Sequence, residues 1–371
     1  MNYRTFGSTG KKVSVLGFGM MRLPLLKADD PSSINTKQAM RMVEEALAGG
    51  INYFDTAWPY HKGQSEIFLG EALKGKHDVF VADKAPVWEI ESHEDFERTL
   101  DEQLRKLQRD HIDFYLLHAL GQERWDNVKK IDLLEAVVKA KKAGKIGHIG
   151  FSFHDTKDVF LDILNHFAWD FCQVQMNYID VDYQATLDGI HQAAAKGMGV
   201  VIMEPLRGGK LATPPERVLD VLGSEKNPVQ WGLDFLWNMP EVSLLLSGMS
   251  HLDHVKDNLV YAGQSAVGKL GTKELETLKE ARHIFQTMSK VACTRCEYCM
   301  PCPFGLDIPG IFDIYNATAL ESKEQMKTQY YDLQKQASDC TECGHCFPQC
   351  PQFIPIPEEM KRITDYFEKE A

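Results

Sequence analysis

Eight short apolar segments, separated by longer amphipathic ones, constrain the fold of this chain most strongly. Each is five to seven residues long, which suits a strand buried on both faces of a parallel sheet. They are Val15–Met20, Ile51–Asp55, Val79–Asp83, Asp113–His118, Gly147–Ser152, Phe171–Met176, Met198–Glu204 and Leu244–Gly248. Eight strands alternating with helices over about 250 residues predict a (β/α)8 barrel. Periodicity alone does not close a sheet, so a doubly wound open sheet is the alternative.

Amphipathic helices with recognisable ends are predicted between and after these strands. They cover Thr36–Ala48, Ser92–Gln108, Asp132–Ala143, Asp182–Lys196 and Thr272–Met288. Asn35 can cap the first helix and Gly49 can end it, while Gly144 can end the third. At the start of the chain, Met1–Val13 contains a Gly-Ser-Thr-Gly turn. This turn predicts a small hairpin across the bottom of the barrel.

The cysteines divide the chain into two predicted domains, residues 1–285 and 286–371. Of nine cysteines, only Cys172 precedes Cys293, and the other eight lie between Cys293 and Cys350. A secreted disulfide scaffold would be short and would spread its cysteines through the fold, so intracellular metal ligation is favoured. Between the two cysteine groups, helices are predicted over Ile308–Leu320 and Lys323–Ala337.

Charge and hydropathy exclude several classes of partner. Lys and Arg number 41 against 53 Asp and Glu, a net charge of −12, which disfavours nucleic acid and anionic membranes as main partners. No apolar run approaches the roughly 20 residues that span a bilayer. No signal peptide is visible at the start. We therefore expect a cytoplasmic protein.

Four residues suited to proton transfer lie at the predicted carboxyl ends of three successive strands, where (β/α)8 barrels carry their reacting groups. They are Asp55, Lys84 and His118, with Tyr60 five residues beyond Asp55. A tyrosine hydroxyl titrates near 10, so it needs a nearby cation to exchange protons at neutral pH. Lys84 would supply that cation, Asp55 would keep the lysine charged, and His118 could orient a carbonyl oxygen or help to pass its proton.

The motifs around these residues resemble those of the aldo-keto reductase family. FDTAWPY at Phe54–Tyr60, followed by Ser65-Glu66, is similar to that family's Asp-Thr-Ala-x-x-Tyr element. Asp83-Lys84 and DFYLLH at Asp113–His118 resemble its lysine and histidine elements, and the order and spacing agree over about residues 1–285. The resemblance implies hydride transfer between nicotinamide and a small-molecule carbonyl, with Tyr60 as general acid in reduction. Candidate pocket walls are Met21, Trp58 and Trp88.

The same resemblance implies a bound dinucleotide, NADP or NAD. Ser152 and Gln175 match positions that hold the carboxamide, and Met203 matches a position that is often aromatic and stacks on nicotinamide. Phe153 stands where the family usually has asparagine, and His254 where it often has the basic residue that meets a 2′-phosphate. The complete set of implied contacts is Ser152, Gln175, Met203, Pro205, Leu206, Gly208, Lys210, Gly248, Ser250, His254 and Asn258.

Two properties of these contacts follow from their chemistry. Glycines such as Gly208 let backbone N–H groups approach a pyrophosphate, and Lys210 adds a positive charge. A neutral histidine holds phosphate less well than arginine, so His254 leaves the choice between NADP and NAD open.

The cysteine tail has the spacing of an iron–sulfur protein. Its two groups are Cys293, Cys296, Cys299 and Cys302 before Pro303, and Cys340, Cys343, Cys346 and Cys350 before Pro351. Three thiolates at two-residue spacing can bind three irons of one cubane, and a remote cysteine before proline can complete it. We predict two 4Fe-4S clusters with exchanged fourth ligands, Cys350 for the first group and Cys302 for the second. Two four-cysteine zinc sites are the alternative.

The tail resembles bacterial two-cluster ferredoxins, with two departures. The first group has two rather than three residues before its last cysteine, and the segment between the groups is long and helical. Both departures indicate the α-helical ferredoxin type of multi-subunit oxidoreductases. Cys172, in contrast, is predicted to be a buried thiol of a barrel strand.

Three functions are consistent with these features. The first is an NAD(P)-dependent carbonyl reductase with structural clusters. The second is an electron-transfer oxidoreductase that exchanges electrons with a ferredoxin or flavin partner; because a hydride carries two electrons and a cluster accepts one, it would need a flavin or similar group between them. The third is a catalytically idle nucleotide-binding subunit.

Overall fold

The computed structural model describes residues 1–319 and 321–369. Its strands are β1 Tyr3–Thr5, β2 Lys12–Ser14, β3 Leu16–Gly19, β4 Tyr53–Asp55, β5 Phe80–Ala85, β6 Ile112–Leu120, β7 Ile146–Phe153, β8 Phe171–Gln175, β9 Gly199–Met203 and β10 Leu244–Ser247. Its α-helices are α1 Thr36–Ala48, α2 Gln64–Ala72, α3 His93–Leu107, α4 Gln122–Lys130, α5 Leu133–Lys142, α6 Lys157–His166, α7 Thr186–Ala195, α8 Glu216–Leu222, α9 Pro228–Trp237, α10 Leu252–Gly263, α11 Thr272–Met288, α12 Ile308–Ala317, α13 Lys323–Tyr331 and α14 Ile356–Phe367.

These elements form two compact units. The first consists of Met1–Pro205 and Val229–Gly271, and the second of Leu206–Pro228 and the described residues from Thr272 onward. The boundary predicted between residues 285 and 286 falls inside α11, which belongs to the second unit. The segment that follows β9 therefore groups with the cysteine-rich tail, although its neighbours in sequence are barrel residues.

The first unit is a closed barrel of eight parallel strands, which confirms the predicted (β/α)8 fold and rules out the open sheet. β3 to β10 pair in chain order, and β10 closes the barrel against β3, with Leu245 opposite Leu16. The strands are short and apolar because side chains on both faces are buried, one face in the barrel and the other under helices. A cluster of buried side chains that includes Phe114, Phe171, Val201 and Leu244 forms part of the core.

The predicted hairpin at the start of the chain is present. β1 and β2 pair antiparallel, with Thr5 opposite Lys12. The turn between them places Phe6 against the barrel interior, where its ring centroid lies 4.6 Å from that of Phe114 and 5.5 Å from that of Phe171. Phe6 is fully buried, so the hairpin supplies a core side chain.

The predicted helix ends are also present. The Oδ1 atom of Asn35 accepts a hydrogen bond from the backbone N–H of Gln38 and caps α1, as expected for an N-cap asparagine. Gly50 and Gly144 follow α1 and α5 with φ of +87° and +80°, values that glycine adopts without strain. No helix of the described residues has the length and apolar character to cross a bilayer.

Two predicted helices are longer than the helices observed. Asp182–Lys196 becomes α7, which starts at Thr186, because Gln184 adopts a left-handed φ of +53°. Lys323–Ala337 becomes α13, which ends at Tyr331. There the Tyr330 hydroxyl accepts a hydrogen bond from the Ala337 N–H at 2.6 Å, which fixes a turn instead of a continuing helix.

The second unit has a core of its own beside the cysteines. Ile311, Phe312, Tyr330 and Met360 belong to this core, and six of the eight tail cysteines pack against it. The helix predicted over Ile308–Leu320 is observed as α12, ending at Ala317, and Leu320 lies outside the described residues. The helical segment between the cysteine groups is therefore confirmed over α12 and α13.

Candidate functional site

The carboxyl ends of β4, β5 and β6 bring the predicted proton-transfer residues together. Asp55 is the last residue of β4, Lys84 lies near the end of β5, and His118 lies near the end of β6. Tyr60 begins a short 3-10 helix, Tyr60–Gly63, that follows β4. Because parallel strands all end at the same rim of the barrel, these side chains share one site.

Lys84 and Asp55 form a buried ion pair in this site. The Lys84 Nζ atom lies 2.6 Å from Asp55 Oδ1 and donates a second hydrogen bond to the Thr56 carbonyl oxygen, also at 2.6 Å. Both side chains are at most 2% exposed. Burial raises the pKa of Asp55, and the Lys84 charge opposes that rise. The pair holds a positive charge at a fixed point in a poorly solvated place.

That charge lies beside the phenol of Tyr60. The Lys84 Nζ atom is 5.0 Å from the centre of the Tyr60 ring, and Tyr60 is buried. A cation at this range favours the phenolate over the phenol by electrostatic attraction. Lys84 is thus placed as the cation that a tyrosine needs to act as a general acid at neutral pH.

His118 completes the group as a neutral imidazole. Its ring centroid is 6.1 Å from that of Tyr60 at an interplanar angle of 81°. Burial, followed by the positive charges of Lys84 and Arg124, lowers the pKa of His118 well below its ordinary value. A neutral imidazole offers one N–H donor and one acceptor, so His118 can donate a hydrogen bond to a carbonyl oxygen.

A buried polar network fixes the backbone of β5 behind Lys84. The Gln103 side-chain amide donates to the Lys84 carbonyl oxygen at 3.0 Å and to Glu66 Oε1 at 3.1 Å, and its own oxygen accepts from the Tyr115 hydroxyl at 2.6 Å. Glu66 also pairs with Lys106 at 2.8 Å. Sequence reasoning did not single out Gln103 or Tyr115. The sequence does contain a sign of Gln103, because this polar residue interrupts the apolar stripe of α3. In the structure Gln103 is fully buried.

Two tryptophans lie near the reacting groups. The indole N–H groups of Trp58 and Trp88 donate to the two carboxylate oxygens of Glu89 at 3.0 and 3.2 Å. Trp88 lies 5.1 Å from His118, centroid to centroid, and is 40% exposed. Met21, the third predicted wall residue, lies in the 3-10 helix Met20–Arg22 after β3. Trp88 therefore lies beside His118 of the candidate catalytic group.

The residues predicted to hold the nicotinamide lie on β7, β8 and β9. The Ser152 hydroxyl accepts a hydrogen bond from the Ala119 N–H at 2.7 Å, and the Gln175 amide donates to Asp180 at 3.3 Å. Met203 ends β9. Ser152 and Gln175 are buried polar groups at the rim, which suits a carboxamide that needs several hydrogen bonds. Asp180, which sequence reasoning missed, orients Gln175.

The residues predicted for the adenosine end follow β10. The Asn258 amide, buried in α10, donates to the Ser247 hydroxyl at 3.1 Å. Gly248 and Ser250 lie between β10 and the start of α10, where unpaired helix N–H groups favour anions. His254 is exposed in the first turn of α10, and partial burial, then the neighbouring His251, lower its pKa. The lowered pKa favours the neutral imidazole.

The predicted pyrophosphate segment leaves β9 through a strained loop in the second unit. Of its predicted residues, Pro205 ends a segment of the first unit, while Leu206, Gly208 and Lys210 belong to the second. Arg207 has a left-handed φ of +50° and Gly208 one of +66°. A non-glycine residue in this conformation costs about 1–3 kcal/mol and is concentrated at functional sites.

The eight tail cysteines gather into two groups of four, with the exchange predicted from sequence. One cavity is lined by Cys302 together with Cys340, Cys343 and Cys346. In the other group, burial and then the nearby Cys296, Cys293 and Cys350 raise the pKa of the Cys299 thiol to about 12. The structure thus places the last cysteine of each group with the first three of the other.

The donor set of each group suits an iron–sulfur cluster. Thiolate is the ligand of cubane iron, and backbone N–H groups near the sulfur atoms tune such clusters. The Arg295 N–H donates to the Cys293 sulfur atom at 3.4 Å. Across residues 1–319 and 321–369, no three His, Cys, Asp or Glu side chains meet around the position of a single metal ion. Cys172 belongs to the first unit, where it is fully buried in β8.

Comparison with known proteins agrees with this division of the chain. Residues 15–282 match the aldo/keto reductase family model, and residues 292–354 match a model for a 4Fe-4S dicluster domain. The fold and the matches together define an oxidoreductase enzyme with an iron–sulfur domain. The chain belongs to the aldo/keto reductase family, whose members use a nicotinamide cofactor.

Individual relatives match most of the barrel. L-galactose dehydrogenase of Arabidopsis thaliana is 29% identical over 314 residues, which cover 78% of this chain and 95% of that protein. The 6-dehydroglucose reductase of Novosphingobium aromaticivorans is 28% identical over 57% of this chain and 71% of its own. Among solved structures, the holo form of aldo-keto reductase AKR11C1 from Bacillus halodurans has a TM-score of 0.66 and 25% identity, covering 76% of this chain and 96% of its own.

Proposed function

We propose that this protein transfers a hydride between a nicotinamide cofactor, NADP or NAD, and a small carbonyl or alcohol substrate. The observation that carries the proposal is the buried Lys84–Asp55 pair, whose ammonium lies 5.0 Å from the Tyr60 ring. An enzyme that reduces a carbonyl must deliver a proton to the developing alkoxide, and this arrangement prepares a tyrosine for that task. The complete set of four residues also argues against an idle nucleotide-binding subunit.

In the reduction direction, each side chain has one role. Tyr60 donates its hydroxyl proton to the substrate oxygen. Lys84 stabilises the phenolate that remains, and Asp55 keeps Lys84 charged and in place. His118, neutral because of its lowered pKa, donates a hydrogen bond that orients the carbonyl oxygen. When bound, nicotinamide supplies the hydride in reduction and accepts it in oxidation.

We assign the dinucleotide contacts as the sequence predicts them. Ser152 and Gln175 would hold the carboxamide, and Met203 would lie against the nicotinamide ring. Gly248, Ser250, Asn258 and His254 would hold the adenosine end, and Pro205, Leu206, Gly208 and Lys210 the pyrophosphate. Support comes from the buried hydroxyl and amide groups at the rim and from the start of α10. The lowered pKa of His254 weakens its ionic contact with a 2′-phosphate, so this residue does not impose a preference for NADP over NAD.

The cysteine-rich tail would hold two 4Fe-4S clusters. Cys293, Cys296, Cys299 and Cys350 would ligate one, and Cys340, Cys343, Cys346 and Cys302 the other. The two-residue spacing within each cysteine group supports this assignment over two zinc sites, because zinc seldom uses three cysteines at that spacing. Electron exchange with a redox protein partner stays a prediction, as does the cytoplasmic location.

A labelled cofactor tests the proposed reaction. Protein purified without oxygen is mixed with NADH or NADPH deuterated at C4 and with a panel of small aldehydes, ketones and oxidised sugars. We expect oxidation of the cofactor and deuterium on the former carbonyl carbon of one class of product. Cofactor binding without deuterium transfer to any member of the panel would contradict the assignment as a carbonyl reductase.

A further inference from the structure

The loop that leaves β9 packs directly against the first cysteine group within the second unit. At Gly208, a β-carbon would lie 2.0 Å from the Thr294 carbonyl oxygen, so only glycine fits this close backbone approach. Thr294 follows Cys293 in the chain and is almost fully buried. The predicted pyrophosphate loop therefore contacts, through Gly208, the residue that follows the first cysteine ligand.

A side-chain bridge reinforces this contact. Asp313, on α12, forms an ion pair through each of its carboxylate oxygens. Lys210 Nζ lies 2.7 Å from Oδ1, and a terminal guanidinium nitrogen of Arg295 lies 2.7 Å from Oδ2. The backbone N–H of Arg295 in turn donates to the Cys293 sulfur atom. One carboxylate thus connects the lysine predicted to meet the pyrophosphate with the residue that donates a hydrogen bond to a predicted cluster ligand.

We propose that Asp313 is a positioning residue that couples dinucleotide affinity to the redox state of the cluster held by Cys293. The proposal rests on the proposed function, because it requires both a dinucleotide and a cluster. A bound pyrophosphate would compete with Asp313 for Lys210 and would leave more uncompensated negative charge beside Arg295. Reduction of the cluster by one electron adds a further negative charge at the same place.

The sign of the coupling follows from these charges. Two negative charges that share the same cations disfavour each other, so the reduced protein binds the dinucleotide less tightly than the oxidised protein. Linkage requires the converse: the bound dinucleotide lowers the reduction potential by an equivalent amount. A tenfold loss of affinity on reduction corresponds to a shift of about 59 mV for one electron.

The test measures the cluster potential with and without a ligand that has no nicotinamide. Full-length protein, prepared without oxygen, is titrated with mediators while electron paramagnetic resonance records the reduced clusters. The ligands are ADP-ribose and its 2′-phosphate, and their dissociation constants are measured on oxidised and reduced protein. We expect a lower potential with ligand and an affinity that is several-fold weaker after reduction. In Asp313→Asn, we expect most of the shift to disappear, with tighter ligand binding because Lys210 is released.

A neighbouring ion pair provides the matched control. Lys226 pairs with Glu274 and likewise joins the 206–228 segment to the helix α11, and its removal leaves Lys210, Asp313 and Arg295 in place. Lys226→Met should keep the full ligand-dependent change in the reduction potential. Equal potentials with and without ligand, in protein that binds ADP-ribose and contains the clusters, would overturn the coupling alone. Protein that lacks clusters or does not bind ADP-ribose would overturn the coupling together with the proposed function.

Discussion

The Lys84 ammonium lies 2.6 Å from the Asp55 carboxylate, and both side chains are excluded from water. Isolated charges are costly in such surroundings, and a pair recovers that cost only with good geometry and further hydrogen bonds. Here the Thr56 carbonyl supplies one further hydrogen bond to Lys84. The arrangement is best explained by the tyrosine beside it, because a fixed cation there changes the acidity of Tyr60.

Lys84→Met should move the alkaline limb of the pH–rate profile for carbonyl reduction to higher pH. The phenol of Tyr60 loses the cation that favours its phenolate, so its pKa rises and the protonated form persists further. Turnover should also fall, and the unpaired Asp55 should cost about 3–5 kcal/mol of stability. The measurement is kcat/KM across pH together with thermal unfolding.

Lys106→Met is the control for that variant. It also removes a lysine from a buried carboxylate, Glu66, without removing the charge beside Tyr60. We expect lower stability and an unchanged alkaline limb. If Lys84→Met left the limb where it is in the wild type, Lys84 would have no part in setting the acidity of the catalytic group.

His118→Gln should reduce the loss of stability that the wild type suffers in acid. Burial lowers the pKa of His118 in the folded protein, whereas in the unfolded chain it titrates near 6.5. Below about pH 6.5 the unfolded state therefore binds a proton that the folded state does not, and the free energy of unfolding decreases as the pH is lowered. Thermal unfolding at pH 7 and pH 5 measures the effect. Equal losses in the two proteins would show that His118 is not held neutral by the fold.

His254→Arg should strengthen NADPH binding roughly tenfold relative to NADH, since a charge-assisted hydrogen bond to the 2′-phosphate contributes about 1.5–3 kcal/mol. A neutral histidine can donate one N–H but carries no positive charge, so its contact with the phosphate is weaker. The dissociation constants of both cofactors measure this preference. The control is His251→Arg, which places the same charge on the residue before α10, where we expect a smaller change. An unaltered preference in His254→Arg would remove this residue from the adenosine site.

Cys302→Ser and Cys350→Ser should each destroy the cluster of the opposite cysteine group. Each removes the fourth ligand of a cubane whose other three ligands lie elsewhere in sequence, so iron and acid-labile sulfide should fall from about eight of each to about four per chain. Metal analysis and electron paramagnetic resonance check this outcome. Cys172→Ser should retain both clusters, because Cys172 lies in β8. Zinc without labile sulfide in anaerobically prepared wild type would contradict the assignment.

The sequence predicted the barrel well because burial on both faces of each strand leaves a strong pattern. It also placed Asp55, Lys84 and His118 at strand ends, where the structure shows them. Helix ends are harder to predict. Helix α13 ends at Tyr331 because the hydroxyl of Tyr330 accepts a hydrogen bond from the backbone N–H of Ala337, which lies beyond the helix. No local pattern encodes such a contact.

Contacts between residues distant in sequence were beyond prediction for the same reason. The Asp313 bridge joins residues 103 positions apart, and Asp313 itself lies in an ordinary amphipathic helix. Likewise, the sequence places the loop at Gly208 with the barrel, whereas in three dimensions this loop groups with the described residues from Thr272 onward. The domain boundary between residues 285 and 286 stays a prediction.

Tyr60→Phe decides whether Tyr60 is the proton donor of a carbonyl reductase. The substitution removes one hydroxyl and little volume. In single-turnover experiments with NADH or NADPH and a carbonyl that the wild type reduces, we expect a rate constant lower by roughly 10²–10⁴-fold, with the dissociation constant of the cofactor unchanged. Reduction at the wild-type rate by Tyr60→Phe would contradict the assignment of Tyr60 as the proton donor.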